Sequence, residues 1–253
     1  MFPYIHTVYG NIPTFVICII IGILSMFYYI HGLLKSQNCL SEEKYIFPKI
    51  ICCGLVGYFF AGFFDTLFKY FNDGQFKVCG ITFYGGLLSA VATLYLQLLF
   101  CKKTKYKINE WFDLLTPPFI VFHFLGRIGC FFAGCCYGKI TESWIGVYFP
   151  DNIELGIKHH GFKCYPTQLF EAFALLLILI VLKYVKRKFK TYLILYSCFR
   201  FILEFYRGDN RGYLSDYFSP AQLVSITILF VMCFFKIYCI LKKQKRQEMN
   251  KYI

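Results

Sequence analysis

The sequence predicts an all-α polytopic integral membrane protein of about seven transmembrane helices with a small external cap. Three observations predict it. Hydrophobic residues fill 58% of the 253 positions and charged residues only 16%, too few to coat a soluble domain of this length. The apolar residues fall in long blocks, each near the roughly 20 residues that cross about 30 Å of hydrocarbon. The basic residues gather in short clusters between those blocks, where topology and anionic lipid place them. The net charge of +13 therefore points to a membrane surface and not to nucleic acid.

The expected spans run approximately over 12–30, 48–71, 84–101, 111–125, 166–182, 192–205 and 220–241. The shorter ones are expected to be partly covered by their neighbours. The first has no basic lead-in and no small-residue cleavage site, so it does not read as a removable signal. The second carries Asp65 and Lys69, spaced as a favourable helical pair and read as structural. The third opens on Tyr84-Gly85-Gly86. Adjacent glycines at a helix start can turn backbone amides to a ligand, or can let two helices pack closely. The fourth ends at Arg127, with His123 one turn earlier. The fifth begins at Pro166. The sixth sets Tyr196, Arg200 and Glu204 on one face, one turn apart. The seventh begins at Pro220.

The loops set the orientation. Lys102, Lys103, Lys105 and Lys107 lie in one connection, and Lys183, Lys186, Arg187, Lys188 and Lys190 in another. Lys242, Lys243, Lys245, Arg246 and Lys251 form the tail. With Lys35 and Lys44 these fall on one side of a seven-span chain. The positive-inside rule then expects the N-terminus outside and the C-terminus in the cytoplasm. Residues 139–165, with Asp151, Asn152, Glu154, His159 and His160, form the external cap of a single domain, 1–253, without internal repeats.

The chemistry is expected at 126–138, Gly-Arg-Ile-Gly-Cys-Phe-Phe-Ala-Gly-Cys-Cys-Tyr-Gly. It reads as an arginine at the mouth of an apolar segment, followed by a glycine-rich turn. A cation at the edge of a membrane persists where something anionic binds, and glycines such as Gly138 let backbone approach that anion. Arg200, held by Glu204 and oriented by Tyr196, is a second guanidinium suited to bidentate phosphate binding. A self-neutralised ion pair is the alternative. A neutral imidazole beside a cation suits His123 to general-base work, although a lone helical histidine is more often a hydrogen-bonded core residue. Cys130, Cys135 and Cys136 lack a C-x-x-C spacing. They are read as small residues lining a pocket, with a disulfide to Cys164 or Cys79, or a soft-metal site, as alternatives. Arg207 and Arg211, around Asp209-Asn210, read as a solvated turn, with a share in an anion site as the alternative.

Four blocks in order, Phe83–Gly86, Gly126–Gly138, Tyr165–Glu171 and Arg200–Arg207, with the closing Ala221-Gln222-Leu223, resemble the prolipoprotein diacylglyceryl transferase family. The resemblance covers about residues 83–225 and implies seven spans with the N-terminus outside, in a bacterial cytoplasmic membrane. It implies transfer of the diacylglyceryl group of phosphatidylglycerol to the lipobox cysteine of a prolipoprotein, with release of glycerol phosphate. No cofactor, metal or nucleic acid is implied. The family's essential arginines match Arg127 and Arg200, and its carboxylate partner matches Glu204. Gln168 and Glu171 join Gly85, Gly86, Cys130, Gly138 and Tyr196 as expected substrate-binding residues. The family's His-Gly-Gly is Tyr84-Gly85-Gly86 here, its Gly-Arg-Ile-Gly-Asn ends in Cys130, and its following acidic residue is Cys135. Tyr84 or His123 is then expected to assist the nucleophile. A paralogue with another acceptor, or a cysteine-based redox or metal protein, would read the same departures differently.

Overall fold

The structure is a computed structural model and describes residues 3–7, 10–74, 83–101, 104–149, 161–208 and 218–249. An antiparallel pair, β1 (Tyr4–Thr7) and β2 (Gly10–Pro13), leads into helix α1 (Thr14–Ser36). The helices α2 (Glu43–Asp73), α3 (Phe83–Phe100), α4 (Ile108–Ala133), α5 (Thr167–Val181), α6 (Lys188–Leu203) and α7 (Pro220–Met249) follow. A short ribbon of β3 (Val147–Tyr148) and β4 (Lys163–Cys164) stands between α4 and α5. It carries the described part of the expected cap; Asp151, Asn152, Glu154, His159 and His160 lie outside the described residues.

Among the described residues, four helices are long and apolar enough to cross a membrane: Thr14–Ser36, Leu40–Leu67, Ile108–Ala133 and Pro220–Tyr238. Gly85–Phe100 and Thr167–Val181 are apolar but shorter. Helix α6, with 16 residues, is about 24 Å long at 1.5 Å per residue. The helical membrane architecture therefore follows the sequence, while only part of the expected set of spans has full crossing length.

The chain divides into two units. In residues 27–115, α2 and α3 pack through glycines. A Cβ on Gly57 would stand 3.1 Å from the Gly86 carbonyl oxygen, and one on Gly86 would stand 3.0 Å from that of Gly57. Helices in lipid have little hydrophobic drive to associate, so close backbone approach supplies the attraction. Gly86 thus serves helix packing. Helix α2 stops at Gly74, whose φ of +66° permits the closing bond from its N–H to the Tyr70 carbonyl.

The other unit comprises residues 1–26 and 116–253. Here α4 crosses the first half of α1 at Gly22, Gly126 and Gly129. A Cβ on Gly129 would meet Cys18 Cβ at 3.0 Å. This corrects the expected span end at 125: Gly126 and Gly129 are packing positions inside a helix that continues to Ala133. Arg127 is consequently embedded in α4. The true turn begins at Gly134, where φ reaches +73°.

The unit is polar inside and apolar outside. His123, Arg127, Thr167, Gln168, Glu171, Ser197, Arg200, Arg207, Gln222 and Ser225 are buried, while Leu24, Phe173, Phe230 and Phe234 are exposed. In water that pattern would unfold a domain. In hydrocarbon, the apolar residues face their own solvent and polar groups find partners inside.

Candidate active site

Three helices build the polar core. α4 contributes His123 and Arg127 at one-turn spacing, α5 contributes Thr167, Gln168 and Glu171, and α6 contributes Tyr196 and Arg200. Glu171 is the hub. Its side chain is 0% exposed, and its Oε1 accepts from Tyr196 Oη at 2.6 Å and pairs with Arg127 Nη2 at 3.0 Å. Tyr196 was expected to orient Arg200; the hydroxyl goes to Glu171 instead, and this holds the carboxylate that in turn holds Arg127. Tyr192 stacks on Tyr196 with centroids 5.4 Å apart, and His123 meets Tyr196 edge-on at 5.2 Å. These rings restrict the rotamers of the whole cluster.

Arg127 Nε lies 3.4 Å from His123 Nε2. Glu171 Oε1 lies 3.6 Å from the same nitrogen, so His123 Nε2 stands between the guanidinium and its carboxylate. In the tautomer with its lone pair on Nε2 the imidazole accepts from Arg127, and His123 then positions that guanidinium.

Arg200 is buried and pairs through Nη1 with Glu204 Oε2 at 2.6 Å. Its charge also acts on Glu171 and His123. Arg207, expected in a solvated turn, is buried as well; Arg211 lies outside the described residues. The correction has a visible cause. Three backbone segments meet at Gly138: its N–H donates to the Tyr165 carbonyl at 2.8 Å, Lys139 N–H donates to Tyr206 at 2.8 Å, and Gly208 N–H donates to Tyr137 at 3.2 Å. These contacts draw Arg207 inward. A Cβ on Gly138 would lie 2.6 Å from Tyr165 Cβ and 2.7 Å from the Tyr206 carbonyl oxygen. Gly138 was expected beside lipid; protein backbone occupies the space that its missing side chain leaves.

The turn after α4 is pinned from α5. Gln168 Nε2 donates to the Cys135 carbonyl at 2.6 Å, and Thr167 Oγ1 donates to that of Cys136 at 2.8 Å. Cys136 is held at a φ of +63°, a conformation that costs a non-glycine residue energy and persists where surroundings enforce it. The thiol sulfurs of Cys130, Cys135 and Cys136 all lie within 4.8 Å of one another. Tyr84 and Gly85 open α3 in the other unit, and the Tyr84 side chain lies outside the described residues. Thr167 and the part played by Glu171 as the partner of Arg127 escaped the sequence reading. The signal was present: Thr167, Gln168 and Glu171 form a polar face on an otherwise apolar helix.

Arg127 and Arg200 are each buried and each held by a carboxylate, Glu171 and Glu204, and Arg207 is buried in the same unit. Guanidiniums fixed in this way present a planar fork that suits a phosphate.

The family described as prolipoprotein diacylglyceryl transferase is matched over residues 3–238. Similar relatives named phosphatidylglycerol--prolipoprotein diacylglyceryl transferase occur in several bacteria. That of Clostridium tetani (strain Massachusetts / E88) is 36% identical over 61% of this chain and 62% of its own length. That of Rickettsia bellii (strain OSU 85-389) is 29% identical over 90% of this chain and 89% of its own. That of Clostridium botulinum (strain Hall) is 32% identical over 85% and 89%. The chain thus spans about 62% of the length of the first of these and of the second Clostridium perfringens transferase, and most of the length of the others. The matched residues take in the N-terminal ribbon, the arginine cluster of α4 to α6 and most of α7, and the chain belongs to the prolipoprotein diacylglyceryl transferase family.

Proposed function

We propose that this chain transfers the diacylglyceryl group of phosphatidylglycerol to the lipobox cysteine of a prolipoprotein. The observation that carries this reading is the pair of buried guanidiniums, Arg127 on α4 and Arg200 on α6, each fixed by a carboxylate inside a unit with an apolar exterior. Arg127, aimed by Glu171 and His123, and Arg200, aimed by Glu204, hold the headgroup phosphate. The acceptor thiolate attacks the glycerol carbon that carries the phosphate ester. A C–S bond forms, the C–O bond breaks, and the electron pair leaves on the phosphate oxygen. Glycerol phosphate gains one negative charge in that step, and preorganised cations favour the transition state over the bound lipid. The thiol proton passes to solvent. Cys130 is assigned to the wall of the lipid site.

The same reading places the protein in the bacterial cytoplasmic membrane as one integral domain. All seven helices lie in the bilayer, the N-terminus is outside and the C-terminus is cytoplasmic. Support comes from the lysine clusters around 102–107, 183–190 and 242–251, and from Trp144 and Tyr148, exposed on the cap at interfacial positions.

The test is transfer from labelled phosphatidylglycerol to a lipobox peptide by purified wild type, Arg127→Ala and Arg200→Ala. Each substitution is expected to lower transfer at least about a hundredfold, the scale of losing one charge-stabilising donor. Retained activity in both variants ends the assignment.

A further inference from the structure

Cys130 and Cys135 stand where the family pattern has an asparagine and an acidic residue. With Cys136 they put three sulfurs in one place. The transfer proposed above needs a thiolate.

We infer that Cys130, Cys135 and Cys136 form a three-thiolate site for a zinc-class ion whose open fourth position takes the acceptor's thiol. The geometry supports a site. Tetrahedral zinc with bonds of about 2.3 Å separates its sulfurs by about 3.8 Å. With the sulfurs already within 4.8 Å of one another, closure around an ion brings no pair together by more than about 1 Å. A disulfide would use two of the three and draw them to about 2 Å. The turn is held for this purpose from outside: buried Thr167 and Gln168 fix the carbonyls of Cys136 and Cys135, and Cys136 is kept in a left-handed conformation. Three protein ligands and one open position is the arrangement of catalytic zinc.

The charges balance. One Zn²⁺ binding three thiols releases three protons and leaves a complex of charge −1 with a water in the fourth position. The acceptor thiol displaces that water and loses its proton to solvent, because a coordinated thiol is deprotonated outright. Its sulfur then forms the C–S bond as the C–O bond of the lipid breaks, and the thioether product, a poorer ligand, departs. No electron is gained or lost overall. Arg127 lies one turn from Cys130 on α4, and its charge acts on all three cysteines. It is thus shared between the anionic metal site and the lipid phosphate, which brings nucleophile and leaving group to neighbouring positions. This inference rests on the transferase reading, so its test separates the two.

The full chain, purified in detergent with reductant, is titrated with Zn²⁺ against a competing chelator and, separately, with Co²⁺. One ion per chain and a thiolate-to-cobalt charge-transfer band are expected. The C130S/C135S/C136S variant is expected to lose both. Adding a lipobox peptide should change the cobalt spectrum, and the peptide with serine at the acceptor position should not. Removing zinc should lower transfer at least about a hundredfold, with recovery on restoring it, the loss expected for a missing proton-transfer catalyst. Absence of the band in reduced wild type, or mass spectrometry finding two of the cysteines oxidised together in the active enzyme, overturns the site. A cobalt spectrum indifferent to the cysteine peptide, or full activity without metal, overturns the acceptor role. Metal binding with the expected peptide response, but with no lipid transferred, supports the thiol site and sinks the transferase reading alone.

Discussion

Replacing Glu171 with glutamine keeps the side chain's shape, removes its charge and leaves Tyr196 an oxygen to donate to. The wild-type carboxylate is fully buried and 3.0 Å from the Arg127 guanidinium, itself 7% exposed. Its loss removes from Arg127 the carboxylate that also feels the charge of Arg200. Removing one member of such a pair costs about 3–5 kcal/mol, because the penalty is an uncompensated buried charge and not one lost bond. The pair itself is worth less than that figure. Arg127→Gln with Glu171→Gln removes both charges, so the double variant should recover all but about 1–2 kcal/mol. Stability is read from unfolding of micellar protein by graded SDS, and transfer from labelled phosphatidylglycerol is read in parallel. The double variant should regain stability and remain inactive, since the phosphate has lost Arg127. A single variant costing under about 1 kcal/mol, or a double variant no milder than the sum of the singles, refutes the assignment of Glu171 as the charge that holds Arg127.

His123→Gln should keep an acceptor for Arg127 Nε and retain much of kcat with an unchanged pH profile, whereas loss of a true base lowers the rate about 10²–10⁴-fold; steady-state kinetics against pH decide. Tyr196→Phe should destabilise by about 1.5–3 kcal/mol, the range for a hydrogen bond to a charged group, measured by the same SDS titration. Gly138→Ala puts a methyl 2.6 Å from Tyr165 Cβ and 2.7 Å from a backbone oxygen, so a loss of about 3 kcal/mol and a drop in folded yield are expected in that titration. Arg200→Lys keeps the charge but loses the planar fork, and its KM for phosphatidylglycerol should rise even where folding is intact.

The helical membrane fold was legible because hydrocarbon imposes long apolar blocks; among the described residues each expected block overlaps a helix, and four of those helices have full crossing length. Helix ends were less legible. Gly126 and Gly129 look like a turn by intrinsic propensity, yet α1 packs on them and the helix runs on to Ala133. Arg127, Arg200 and Glu204 stood out because charge inside an apolar segment is expensive. The partnership of Glu171 with Arg127 did not, because it joins residues 44 positions apart, and spacing rules see only one helix at a time. The burial of Arg207 was illegible for a similar reason. Its burial depends on the backbone of Tyr165 and Gly138, and nothing local distinguishes it from a solvated arginine.

Lipid retention by the arginine cluster tests the central claim most directly. Native mass spectrometry of the protein in micelles, supplied with equal phosphatidylglycerol and phosphatidylethanolamine, should show wild type keeping one phosphatidylglycerol in preference. Arg127→Gln combined with Arg200→Gln should lose that preference while staying folded. Equal retention of the two lipids by wild type, or an undiminished preference in the double variant, would contradict the account.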